Sequence, residues 1–156
     1  MRQNIISTFI LLAVCSAAAP AQDRHDPPRV DEAAQEQLRQ RAQAASGGER
    51  AKLFTELSRQ EMETANQYFT DGDAAKGHEE VKHSEADAEK GADAALTSDK
   101  RLKQTEIELR KLQKRTEDIR HSLAFEDRAA LEAVENKLEE LRRSLLQKMF
   151  GGKGKS

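Results

Sequence analysis

An all-α fold of helical hairpins, completed by a C-terminal antiparallel coiled-coil hairpin, is what this sequence predicts. Three observations predict it. Apolar residues recur at alternating spacings of three and four from Leu102 onward, the stripe of a helix packed along its length. Charged residues make up 35% of the chain and aromatics only 4%, with Ala, Glu, Lys, Leu and Arg abundant, a composition of long helices rather than sheets. The helical segments are separated by short turn signals, Asp71-Gly72-Asp73 and Ser122 to Arg128.

In chain order, residues 1–21 read as a secretory signal. Arg2 supplies the basic start, Ile5 to Cys15 the apolar core, and Ala19-Pro20-Ala21 the small-residue cleavage site before Gln22. That apolar run falls short of the ~20 residues of a permanent membrane span. Leu12-Ala13-Val14-Cys15 resembles a lipobox, with Val14 where a small residue is expected, so contact with a membrane is expected only if Cys15 carries a lipid. Cleavage after Ala21 removes the single cysteine, and an exported chain without disulfides must be held by its core or by assembly. The expected location is the periplasm or the exterior.

Residues 22–30 contain Pro27-Pro28 and read as an extended segment. Region 31–97 is read as N-terminal and helical. Asp31 is the expected N-cap of a first helix from Glu32 to about Ala45, whose mostly alanine face predicts poor docking. Ser46-Gly47-Gly48 is expected to end it. A hairpin is expected over 49–96. Its first helix carries Leu53, Phe54, Leu57, Ala65, Tyr68 and Phe69 on one face, with Met62 at the margin. Its second presents the small seam Gly77, Val81, Ser84, Ala88, Gly91 and Ala95, which permits close helix approach.

Ala65, Tyr68, Gly72, Asp73, Gly77 and Val81 stand at spacings that resemble one helix–turn–helix unit of the tetratricopeptide repeats, over residues 61–90. The resemblance implies a helical hairpin. Such repeats act in stacks of about three or more, and a second copy is missing from this sequence, so peptide recognition is not implied.

Residues 98–150 form the expected coiled-coil hairpin. Whether 74–123 is one helix or two is open on the sequence, with a break favoured at Ser98. The first seam is Leu102, Thr105, Leu109, Leu112, Thr116, Ile119 and Leu123, its two threonines predicting partial solvation. The second is Leu131, Val134, Leu138, Leu141 and Leu145, with Asp127 as the expected N-cap of its helix. Leu102, Leu109, Leu112, Ile119, Leu123, Leu131, Val134, Leu138, Leu141 and Leu145 are the candidate interaction residues. Residues 151–156 are expected to be a disordered tail.

Between Asp71 and Asp93 there are eight acidic and three basic residues, and between Lys100 and Arg120 eight basic and four acidic, so the two segments are complementary if they pack together. Glu106–Arg110 and Glu139–Arg143 are i,i+4 pairs in the favourable order.

The chemistry-bearing residues point away from catalysis. His78 and His83 flank Glu79-Glu80, but five residues separate them, about 140° round a helix, so they do not form the zinc-binding pair that four-residue spacing gives. Both are expected on a solvated surface. His25, with Asp23 and Asp26, is at most an adventitious metal site. Gly47-Gly48 and Gly151-Gly152 lack the strand and lysine of a phosphate loop. No catalytic residue, cofactor or resident metal is expected. The formal net charge is −2, and losing Arg2 moves it further negative, against a dedicated nucleic-acid binder. The basic residues Arg101, Lys103, Arg110, Lys111, Lys114 and Arg115 read as the charged flank of the seam. A thin core with few aromatics points to function by association, with a protein partner or another copy. A holdase-type chaperone of the periplasm is the alternative.

Overall fold

The computed structural model describes residues 31–151. The expected signal, the extended segment 22–30 and residues 152–156 of the expected tail lie outside the described residues. Five α-helices follow in order: α1 (Glu32–Ala44), α2 (Gly47–Thr70), α3 (Ala74–Ser98), α4 (Leu102–Ser122) and α5 (Arg128–Phe150), with a single 3-10 turn (Phe125–Asp127) before α5. The all-α class and the helical hairpins are as the sequence predicts.

The α2–α3 hairpin is the most extensive pairing, and α4–α5 is the second. The first rests on small residues. Gly77, Val81, Ser84, Ala88, Gly91 and Ala95 are all buried. A Cβ built on Gly91 would lie 3.2 Å from the Thr55 amide nitrogen and 3.3 Å from the Ala51 carbonyl oxygen, so α2 and α3 touch backbone to backbone there. Ser58 Oγ donates to the Ser84 carbonyl at 2.6 Å, and Ser84 Oγ donates to the Ser58 carbonyl at 2.8 Å. Reciprocal bonds of this kind need close approach, which a leucine at either position would prevent. The turn is made as expected: Gly72 has φ +83°, and the Asp73 carboxylate accepts from the Lys76 amide at 3.2 Å.

Thr105 and Thr116, expected to admit solvent, are both buried. Thr116 Oγ1 satisfies itself by donating to the Leu112 carbonyl one turn back, at 2.9 Å, so a threonine costs this seam little. Met62, placed at a margin by the sequence, lies in the centre of the core, whereas Tyr68 and Phe69 are half-buried.

Two helix boundaries, one docking and one cap differ from expectation. Helix α3 runs through Ser98, and the break falls at Asp99–Arg101, where Asp99 (φ 56°) and Arg101 (φ 60°) are left-handed. Asp99 therefore closes α3. Gly47 and Gly48 begin α2 rather than following α1; Gly47 takes φ +55°, and a Cβ on Gly48 would meet Lys100 and Arg101 side-chain carbons at 3.2 Å. Helix α1 is docked, not loose. Leu38 and Ala42 join Leu53, Phe54 and Leu57 in a second core cluster, and Gln35 Nε2 donates to Thr64 Oγ1 at 2.9 Å. Finally, Asp127 makes no cap with its side chain, which turns to His78 instead.

The short connections set the ends of the bundle. One end holds the α2–α3 and α4–α5 turns and the start of α1. The other gathers the α1–α2 and α3–α4 connections and the C-terminus of α5, where Lys148 Nζ lies 3.8 Å from Asp99 Oδ1.

Candidate association surface

The ten candidate interaction residues are brought together along α4 and α5, facing inward. Leu109, Leu112, Ile119, Leu131, Val134, Leu138 and Leu145 are buried, and Leu102, Leu123 and Leu141 pack half-buried against the same cluster. Burying a side chain of this size contributes about 1.5–3 kcal/mol, so these leucines are spent on folding the chain. They line the interior of one chain.

Among the described residues three large apolar side chains are exposed: Phe125 at 84%, Phe150 at 63% and Leu146 at 36%. Phe125 stands on the turn before α5, and Leu146 and Phe150, one helical turn apart, share a face at its other end. The two phenylalanines are separated by the length of α5, about 34 Å at ~1.5 Å per residue.

The polar contacts between helices are asymmetric. Arg115 makes two bonds to Glu63 of α2, at 2.8 and 2.6 Å, and Arg142 on α5 bonds Glu106 on α4 at 3.0 and 3.1 Å. Arg120 pairs with Glu135 at 2.6 Å, and Lys137 pairs with Glu89. The acidic α3 thus finds its cation on α5, while the basic α4 finds its carboxylates on α2, on α5 and on itself. No α3–α4 ion pair occurs among the described residues. The expected i,i+4 pairs form, Glu106–Arg110 at 3.9 Å and Glu139–Arg143 at 3.1 Å.

A buried carboxyl pair was not anticipated. Glu61 on α2 is fully buried and Asp87 on α3 nearly so. Arg39 of α1 reaches over to donate to Glu61 Oε1 at 2.8 Å, and Lys90 donates to Asp87 Oδ1 at 2.6 Å. Burial, and then the negative charge of Asp87, push the Glu61 carboxyl up to about 8, against the pull of Arg39. At neutral pH Glu61 is therefore mainly the acid. Its Oε2 has no other partner, and a proton carried there can be donated toward Asp87. The sequence held a signal for this: Glu61 lies four residues from both Leu57 and Ala65, in the middle of the buried stripe.

The two histidines part company. His83 is exposed, 3.7 Å from Glu80, as the surface reading expects. His78 is not a surface group: its side chain is 30% exposed, its ring meets the edge of Phe69 at 5.1 Å, and Nε2 lies 2.9 Å from Asp127 Oδ1. Among the described residues no group of three or more His, Cys, Asp or Glu side chains could hold a metal, and no helix is long and apolar enough to cross a membrane.

Comparison with family models, with curated proteins and with solved structures finds no match for this chain.

Proposed function

We propose that this chain is an exported helical structural or adaptor module that acts by protein–protein association, through the end of the bundle that carries Phe125. The observation that supports this reading is the exposure of Phe125, at 84%, in a chain of only five phenylalanines. A phenylalanine ring buries on the order of 150–250 Å² when covered. Here it adds nothing to its own core, and the short 3-10 turn before α5 leaves it outward, where a partner's pocket can cover it. Aromatic anchors of this kind carry much of the energy of protein interfaces.

Photo-crosslinking from residue 125 in the producing cell tests this. A discrete adduct of one mass, absent when the crosslinker is placed at exposed Glu132, supports an adaptor or a self-associating module. A heterogeneous ladder of adducts that grows under unfolding stress supports the holdase reading. Absence of any adduct at 125 removes association through this end.

A further inference from the structure

Cations without an acidic partner are concentrated at the opposite end of the bundle. Farther along α4, Lys111, Lys114 and Arg115 pair with Glu108, Glu117 and Glu63. Arg41, Arg50, Lys52, Lys100, Arg101 and Lys103, by contrast, have no carboxylate within 4.0 Å among the described residues. Their positions in the fold collect them. Arg41 is in the last turn of α1, Arg50 and Lys52 in the first turns of α2, and the other three at the α3–α4 connection. Lys52 and Arg101 line one cleft between α2 and α4, of about 280 Å³. The acidic residues exposed there are Glu49, Asp93 and Asp99, with Lys148 near the last of these, and Glu56 and Glu108 line the same cleft but are paired with Arg59 and Lys111. The N-termini of α2 and α4 open at this end too, and neither is capped by a side chain, so their positive dipole ends add to the same field. At the same end, Leu146 and Phe150 project from the last turns of α5 while Leu145 anchors that helix in the core.

We infer that this end of the bundle docks on an anionic phospholipid bilayer. Lys100, Arg101, Lys103, Lys52 and Arg50 would meet headgroup phosphates, and Phe150 and Leu146 would enter the boundary between headgroups and acyl chains. The pairing of the two features selects the bilayer. Nucleic acid would use the cations and leave the apolar side chains unburied. A bilayer uses both, since it sets negative charge immediately above hydrocarbon. The contact is peripheral and does not need a lipid on Cys15. It is also independent of Phe125, which would face away from the membrane.

Vesicle flotation of the purified chain at ~0.1 M salt tests the inference. The lipids are phosphatidylcholine alone or mixed equally with phosphatidylglycerol. Each basic residue near an anionic leaflet strengthens partition roughly fivefold. The expected result is binding to the mixed vesicles only. The triple variant Lys100→Glu, Arg101→Glu, Lys103→Glu should then lose on the order of 100-fold in partition. Phe150→Ser with Leu146→Ser should lose about tenfold or more, with helical circular dichroism unchanged. The charge-matched control Lys82→Glu, Lys111→Glu, Lys114→Glu should bind within about twofold of wild type. The inference is overturned if the mixed vesicles are not bound, if neutral vesicles bind equally, or if the control loses as much as the triple variant. It is also overturned if soluble polyglutamate is bound as tightly as the vesicles, which would make an acidic protein the partner.

Discussion

His78 Nε2 lies 2.9 Å from Asp127 Oδ1, and this single bond joins the first turns of α3 to the turn that opens α5. Both side chains are partly exposed, so the pair resembles an ordinary part-buried hydrogen bond rather than a buried ion pair. Replacing His78 or Asp127 by alanine should each cost about 0.5–1.5 kcal/mol. A double-mutant cycle by chemical denaturation should give a coupling of at least ~0.5 kcal/mol. Additive single effects would mean that the two groups do not meet in solution.

The Glu61 carboxyl makes stability fall as pH rises. Its folded value, pushed up to about 8, lies above the ordinary 4.5, so the folded chain holds a proton that the unfolded chain gives up. The contribution is complete below about pH 4.5 and is lost through pH 8, at up to about 1.4 kcal/mol per pH unit. Glu61→Gln keeps both roles of the acid, since its amide oxygen accepts from Arg39 and its NH2 can donate to Asp87. That variant should lose the downward slope between pH 5 and 8.5 and be the more stable protein at pH 9. A wild-type melting profile as flat as the variant's over this range would show that Glu61 is ionised throughout.

Much of this arrangement is legible in the sequence where one helix face carries one kind of residue. The seams of α4 and α5 and the small-residue stripe of α3 are periodic and local, and they lie where their spacing puts them. What is not legible is contact between distant residues. Nothing near Asp127 announces His78, 49 positions away. Glu61 and Asp87 read as surface because each is charged, although each sits on a stripe that is otherwise apolar or small. The seam leucines read as the packing and candidate interaction residues of one hairpin, and the further cover that the α2–α3 hairpin gives them comes from elsewhere in the chain.

Gly91 should not tolerate a methyl group. Its added Cβ would press on the backbone of α2 at 3.2–3.3 Å, and two paired helices cannot move apart at one point alone. Alanine gains up to about 1 kcal/mol of helix propensity, while overpacking a tight contact costs about 1–3 kcal/mol. Gly91→Ala should therefore be destabilising by about 1 kcal/mol in a denaturant titration. A stabilised variant would show that the helices are farther apart than described.

Leu112 and Leu138 are 3% and 0% exposed and belong to one core cluster. Replacing either by aspartate puts an unpaired carboxylate among hydrocarbon, which should cost more than about 3 kcal/mol and lower Tm by roughly 10 °C or more. Arg110→Ala and Glu132→Ala, on exposed faces, should change stability by less than about 0.5 kcal/mol. Circular dichroism through a thermal melt separates the two classes, and equal melts would mean that the seams of α4 and α5 do not meet.

The seams of α4 and α5 pack within one chain, and association is proposed to use the exposed ends. The dependence of Tm on protein concentration distinguishes this from closure between copies, measured on the Phe125→Ser variant so that contact through that end is removed. Closure within one chain predicts a Tm unchanged across a roughly 100-fold range of concentration, with light scattering giving the mass of one chain. A Tm that climbs with concentration, together with a dimeric mass, would show that a second copy completes the core, contradicting the account.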